Sequence, residues 1–145
     1  FSQPNVGGVS NNMNQKGLVT WDRKPKDSYY IYKANWNPEP MVYIASRDWR
    51  TRAGLKNELS TIEVYSNLDR VTLIVNGRSY GSKKPDCIKK CDCKEQLTDG
   101  ANKIIATSRN QIVDNFTIDY RVYDDNVKTT SSFSGLAVNV GAGTL

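Results

Sequence analysis

Asn76-Gly77 lies between two alternating runs, Val71-Thr72-Leu73-Ile74-Val75 before it and Arg78-Ser79-Tyr80-Gly81 after it, an arrangement that leaves little room for anything but a β-hairpin. A type I′ turn needs positive φ at both central residues, and Asn followed by Gly reaches that conformation at low steric cost. The same two-residue period runs through Met41-Val42-Tyr43-Ile44-Ala45 and Thr61-Ile62-Glu63-Val64-Tyr65. It returns where Phe116, Ile118, Tyr120 and Val122 alternate with Thr117, Asp119, Arg121 and Tyr123. Asp99-Gly100, between Leu97 and Lys103-Ile104-Ile105-Ala106, predicts a second hairpin, whereas residues 50–60 show no alternation, hold Gly54 and read as a loop. The expected fold class is all-β, an immunoglobulin-like β-sandwich of about seven strands.

Ahead of the strands the period changes. Residues 1–15 are rich in Asn, Gly and Ser, show no apolar period and read as loop. Pro25 follows the polar cluster Asp22-Arg23-Lys24, and proline suits a first helical turn because its missing N–H would be unpaired there, so a short helix is expected to start near it. Tyr29, Tyr32 and Trp36 recur at spacings of three and four and form an aromatic stripe that must pack on something or stand as an exposed patch. Pro38 and Pro40 end the helix, which places a boundary at residues 37–40. The expected organisation is residues 1–36 as loop plus helix, 37–124 as the sandwich, and 125–145 as a polar linker with a strand-like tail.

Composition narrows the function classes. The chain has 145 residues, 38% hydrophobic and 24% charged, enough apolar side chains for one sandwich core. Its formal net charge of +5 is spread among interleaved Asp and Glu, so solvated surface is favoured over a nucleic-acid partner. No apolar run approaches the ~18–20 residues that span a bilayer, so no membrane partner is expected, and any export signal would belong upstream. Cys87, Cys91 and Cys93 are an odd set. If 91–93 is a strand, Cys91 and Cys93 point to one face, too close along it to bridge each other easily, which leaves Cys87 as the disulfide partner for either. Structural zinc usually takes four Cys or His ligands, and with three Cys and no His the chain is expected to hold buried or unpaired thiols, with no metal and no cofactor.

Catalytic residues are expected to be absent. Retaining glycosidic cleavage needs two carboxyl groups ~5–5.5 Å apart, and Glu39, Glu58, Glu63 and Glu95 each read as solvated surface. Without His there is no Ser–His or Cys–His nucleophile, and neither glycine cluster has the Lys and strand–turn–helix setting of a phosphate loop. The chemistry that remains is recognition by an aromatic face. A flat ring can cover the C–H face of a pyranose while polar neighbours bind its hydroxyls, and Asp48-Trp49-Arg50 has that composition. These three are the candidate carbohydrate-binding residues; the plainer alternative is that Trp49 caps the sandwich or packs on a neighbouring domain.

The stretch 16–33, with Gly17-Leu18-Val19-Thr20-Trp21-Asp22-Arg23-Lys24-Pro25 running into Tyr29-Tyr30-Ile31-Tyr32, resembles the closing segment of the catalytic barrel in family-two glycoside hydrolases of the β-galactosidase type. A second block, Ile62-Glu63-Val64-Tyr65-Ser66-Asn67 through Val75-Asn76-Gly77-Arg78, resembles the sandwich that follows that barrel. The resemblance implies that the helix is left over from the preceding barrel and that the chain is a non-catalytic accessory domain of a putative β-galactosidase, inactive alone, with the upstream barrel as its partner. The two catalytic glutamates would then lie upstream of Phe1. The alternative function is a carbohydrate-binding module holding oligo- or polysaccharide through Trp49. A periplasmic or extracellular location is implied by the same resemblance. Leu136-Ala137-Val138-Asn139-Val140-Gly141 resembles the opening strand of malectin-like domains, and one more strand of the same sandwich fits it equally.

Overall fold

The computed structural model describes residues 17–108 and 113–123. The expected loop at 1–15, the linker and the strand-like run at 136–141 lie outside the described residues. A helix α1 (Asp27–Trp36) precedes eight strands: β1 (Val42–Ile44), β2 (Thr51–Leu55), β3 (Leu59–Ser66), β4 (Val71–Val75), β5 (Arg78–Lys83), β6 (Lys90–Gln96), β7 (Gly100–Thr107) and β8 (Val113–Tyr123). They form a three-stranded sheet, β1-β3-β6, and a five-stranded sheet, β2-β8-β7-β4-β5. The all-β sandwich expected from the alternation is the observed fold. No described helix is long and apolar enough to cross a membrane.

The alternating side chains meet between the sheets. Ile44, Ile62 and Val64 of the smaller sheet share one core with Leu73, Ile104, Ile118 and Tyr120 of the larger, and burial of this apolar surface is the main driving force for the pairing. β1 is buried on both faces, because Met41, Tyr43 and Ala45 lie under the helix in a second cluster with Ala34 and Tyr65. The domain is thus three layers deep at β1, helix on sheet on sheet. Asn76 and Gly77 both take positive φ, 51° and 82°, and close the β4–β5 hairpin as their dipeptide requires.

Three expectations are corrected. Asp99-Gly100 makes no hairpin: β6 pairs with β3 in one sheet and β7 with β4 and β8 in the other, so residues 97–99 cross between the layers. The buried Asn102 side chain organises that crossing, accepting from Thr98 N at 2.9 Å and donating to Thr98 O at 2.7 Å and Gly100 O at 2.9 Å. Residues 51–55 are a strand rather than a loop, running parallel to β8 in the register Thr51↔Asp119 to Leu55↔Tyr123. Its position at the sheet edge explains the missing apolar period. The helix begins at Asp27 with Lys26 as its N-cap, near Pro25 as expected, and Pro25 itself pairs with Val19 across a turn closed by Thr20 N to Lys24 O at 2.9 Å. Glu95, finally, is not solvated surface. It shares the inward face of β6 with Cys91 and Cys93 and is 6% exposed.

The cysteine segment is the strand on which both buried sulfurs share a face, while Cys87 is exposed, and all three are free thiols. The thiols of Cys91 and Cys93 fill space that an aliphatic side chain would otherwise occupy. Burial pushes the Cys91 thiol up to about 11 and raises that of Cys93 as well.

Candidate functional site

Two exposed aromatic surfaces emerge from this frame. The first is the outer face of α1. The helix docks on the small sheet through Tyr30, Ile31 and Ala34, so the Tyr29, Tyr32 and Trp36 stripe turns away from the sandwich. Trp36 is 76% exposed, and its ring lies 4.6 Å from that of Tyr32. Together with Leu18, Tyr29 and Pro38 they line an open groove of about 430 Å³. Trp21, at 89% exposure, stands on the preceding turn. An apolar face of this kind on a small domain marks a contact surface.

The second surface is built around Trp49, on the loop between β1 and β2. Arg47 anchors that loop from below: it pairs with Asp114 of β8, donates to Ile44 O at 3.1 Å and lies over the Tyr43 ring at 4.6 Å. Asp114 also accepts from Ile44 N at 2.7 Å. From the helix, Asp27 accepts from Ser46 N at 2.7 Å and from the Tyr43 hydroxyl at 2.8 Å; burial and that carboxylate together hold the Tyr43 phenol protonated well above its usual range. Arg52 ties the loop to its flanks, donating to Trp49 O at 3.2 Å, Ser46 O at 3.3 Å and Thr61 O at 3.5 Å. Burial draws the Arg52 pKa below arginine's ordinary value, with Asp27 and Glu63 pulling the other way.

Trp49 is 71% exposed and does not cap the sandwich. It stands at the mouth of an open groove of about 510 Å³ between β2 and β3, whose polar lining includes Arg52, Glu58, Thr61 and Glu63. Asp48 and Arg50 are exposed beside it and do not line this groove. The groove's polar groups come from β2, β3 and the turn between them, and sequence reading set Glu58 and Glu63 aside as surface. Leu55 N donates to Glu58 Oε2 at 2.8 Å, so this carboxylate closes a tight turn with Asn57 at positive φ. Glu63 accepts from the Tyr65 hydroxyl at 3.2 Å and pairs with Lys90 at 3.3 Å.

One close approach sets the floor of this groove. A Cβ at Gly54 would lie 2.0 Å from the Tyr120 hydroxyl oxygen and 2.8 Å from Glu58 Oε2, so only glycine lets the ring of β8 reach under the β2–β3 turn.

These layers and surfaces define a β-sandwich module with a docked helix and outward aromatic faces. Residues 57–111 match the model of a domain of unknown function, DUF4982. Over 114 residues the chain is 39% identical to a β-glucuronidase of Bacteroides fragilis, covering 75% of this chain and 16% of that protein. It is 29% identical over 98 residues to a β-galactosidase of Bacteroides ovatus, covering 67% and 11%. The fold superposes on β-glucuronidase 3 of Bacteroides uniformis with a TM-score of 0.71 and 36% identity, covering 76% and 15%. The chain therefore spans about one-sixth or less of the length of these proteins. The relatives it matches are glycoside hydrolases, and the similarity covers one limited region of each.

Proposed function

We propose that the chain is a non-catalytic accessory domain of a family-two glycosidase and packs beside the catalytic barrel through the outer face of α1. The observation that carries this reading is the Trp36 surface: a helix that satisfies its own sandwich with Tyr30, Ile31 and Ala34 has no internal use for a second apolar stripe. Burying Trp36 and Tyr32 against a barrel would contribute ~1.5–3 kcal/mol for each large side chain covered. Bond cleavage in this reading belongs to the barrel. The experiment is to place Trp36→Ser in the longer polypeptide and follow thermal unfolding together with activity. The reading requires a lower Tm for the barrel and unchanged stability of the isolated chain; an unaltered barrel would contradict it.

The stretch at 16–33 does not choose the sugar of the parent enzyme; the names of the relatives support β-glucuronides at 39% and 36% identity and β-galactosides at 29%. Assay of the parent with chromogenic forms of both separates them. A second reading, glycan contact at Trp49, is favoured by the exposure of that ring at the mouth of a polar groove.

A further inference from the structure

Arg52 has donors left over after bracing the Trp49 loop. Its Nε donates to Trp49 O at 3.2 Å, Nη2 to Ser46 O at 3.3 Å and Nη1 to Thr61 O at 3.5 Å. A guanidinium carries five N–H donors, so Nη1 and Nη2 each keep one. All three acceptors are neutral carbonyls, and among the described residues no carboxylate stands within ion-pair reach of this half-buried cation. The carboxylates that act on it from farther off, Asp27 and Glu63, are already engaged, the first by Ser46 N and the Tyr43 hydroxyl, the second by Lys90. Arg52 lines the groove with Trp49, and Arg50 is exposed beside that ring. The loop that carries the indole is also preset. Ser46, at φ 60°, is held through its N–H by Asp27, Trp49 N donates to Ser46 O at 3.2 Å, and Arg50 O accepts from Asp119 N at 2.8 Å. A backbone fixed in this way lowers the ordering cost of binding.

Resting on the reading of Trp49 as a glycan contact, we propose that this groove binds an acidic oligosaccharide, with a uronate carboxylate anchored on the two remaining N–H groups of Arg52. Charge-assisted bonds from a guanidinium to a carboxylate are about twice as strong as bonds between neutral groups, and here no resident anion has to be displaced first. The Trp49 ring covers a C–H face of the sugar. Glu58, with one oxygen taken by Leu55 N, uses its other oxygen to accept from a sugar hydroxyl, and the Ser60 and Thr61 hydroxyls on the same wall pair with others. Arg50 adds a solvent-screened positive charge at the mouth. Arg52 is thus both brace of the loop and anchor of the ligand.

The test is isothermal titration of the 145-residue chain with tetragalacturonate and with a tetrasaccharide of alternating β-glucuronate and N-acetylglucosamine, each set against its carboxyl-reduced, neutral form. Saturable binding of an acidic probe is expected, with its reduced form at least about fivefold weaker and Trp49→Ala weakening both forms about tenfold. Arg52→Gln is expected to erase the difference between the acidic and reduced forms; circular dichroism of both variants verifies that they fold. A residue that only braced the loop would lower both forms by one factor, and an unchanged ratio in Arg52→Gln would overturn the anchor. Equal binding of the acidic and reduced forms by the parent chain, still lost in Trp49→Ala, would overturn the uronate assignment while leaving Trp49 as a glycan contact. Binding of no probe, or binding indifferent to Trp49→Ala, would overturn both.

Discussion

The Tyr30 ring of α1 lies on the Tyr43 ring of β1 with centroids 3.6 Å apart and planes 9° from parallel. This stack, with the Tyr43 hydroxyl held by Asp27 at 2.8 Å, fixes the helix to the small sheet and so decides which helical face is left outside. Tyr43→Phe removes only the hydrogen bond and is expected to cost about 1–2 kcal/mol. Tyr30→Ala loses the stack and its buried area, and is expected to cost about 2 kcal/mol or more. Urea denaturation measures both, and equal effects of the two substitutions would argue against the stack as the docking contact.

Gly54 is expected to tolerate no side chain. Gly54→Ala drives a methyl into the Tyr120 hydroxyl and is expected to destabilise by about 1–3 kcal/mol, the usual cost of overpacking. Removing the hydroxyl with Tyr120→Phe in the same chain should return part of that loss, because the ring carbon beneath it lies at 3.0 Å and still crowds the methyl. A double-mutant cycle by thermal unfolding reads the coupling, and strict additivity would contradict the contact.

The cysteines are expected to separate by burial. Cys87 is exposed while Cys91 and Cys93 are buried, and the Cys91 thiol is pushed up to about 11, so at neutral pH an alkylating reagent should modify one thiol in the folded chain and all three in denaturant. Mass spectrometry counts the adducts. Rapid modification of Cys91 in the native protein would contradict the packing of β6.

Glu95 makes stability depend on pH with a definite sign. Burial raises its carboxyl pKa above the ordinary 4.5, against the opposing charges of Lys83 and Arg78 on β5. The folded chain therefore binds more protons than the unfolded chain between those two values. The stability Glu95 contributes is present below 4.5 and is lost as pH rises through the folded pKa. Glu95→Gln should match the parent chain in acid and exceed it at neutral pH; denaturation midpoints across that range give the comparison, and a constant difference would contradict the assignment.

The strands that were legible in the sequence are those with one face in the core. Asn76-Gly77 and the alternation from Phe116 to Val122 name their own turn and register, because burial on one face imposes the period. β2 was invisible for the converse reason: Thr51, Arg52 and Ala53 lie at an edge where no apolar face is demanded, and its role comes from β8 alongside it. Asp99-Gly100 carries turn chemistry, but a turn does not say to which sheet the next strand belongs; pairing of β6 with β3 across Ile62↔Cys93 decides that. Glu95 looked solvated between Lys94 and Gln96, although the same two-residue period that buries Cys91 and Cys93 also carries it inward. Of the candidate site, Trp49 was legible as an exposed aromatic beside charges. Arg52, Glu58 and Glu63 were not, since they converge from separate elements only once the β2–β3 turn has folded over Tyr120.

In the proposed assembly α1 serves two partners, the sandwich through Tyr30 and a barrel through Trp36. Amide hydrogen exchange of residues 29–36, compared between this chain alone and the longer polypeptide that carries its barrel, tests it most directly. Markedly slower exchange across the helix in the longer polypeptide is the expected result. Identical exchange in the two, with Trp36 still open to solvent, would contradict it.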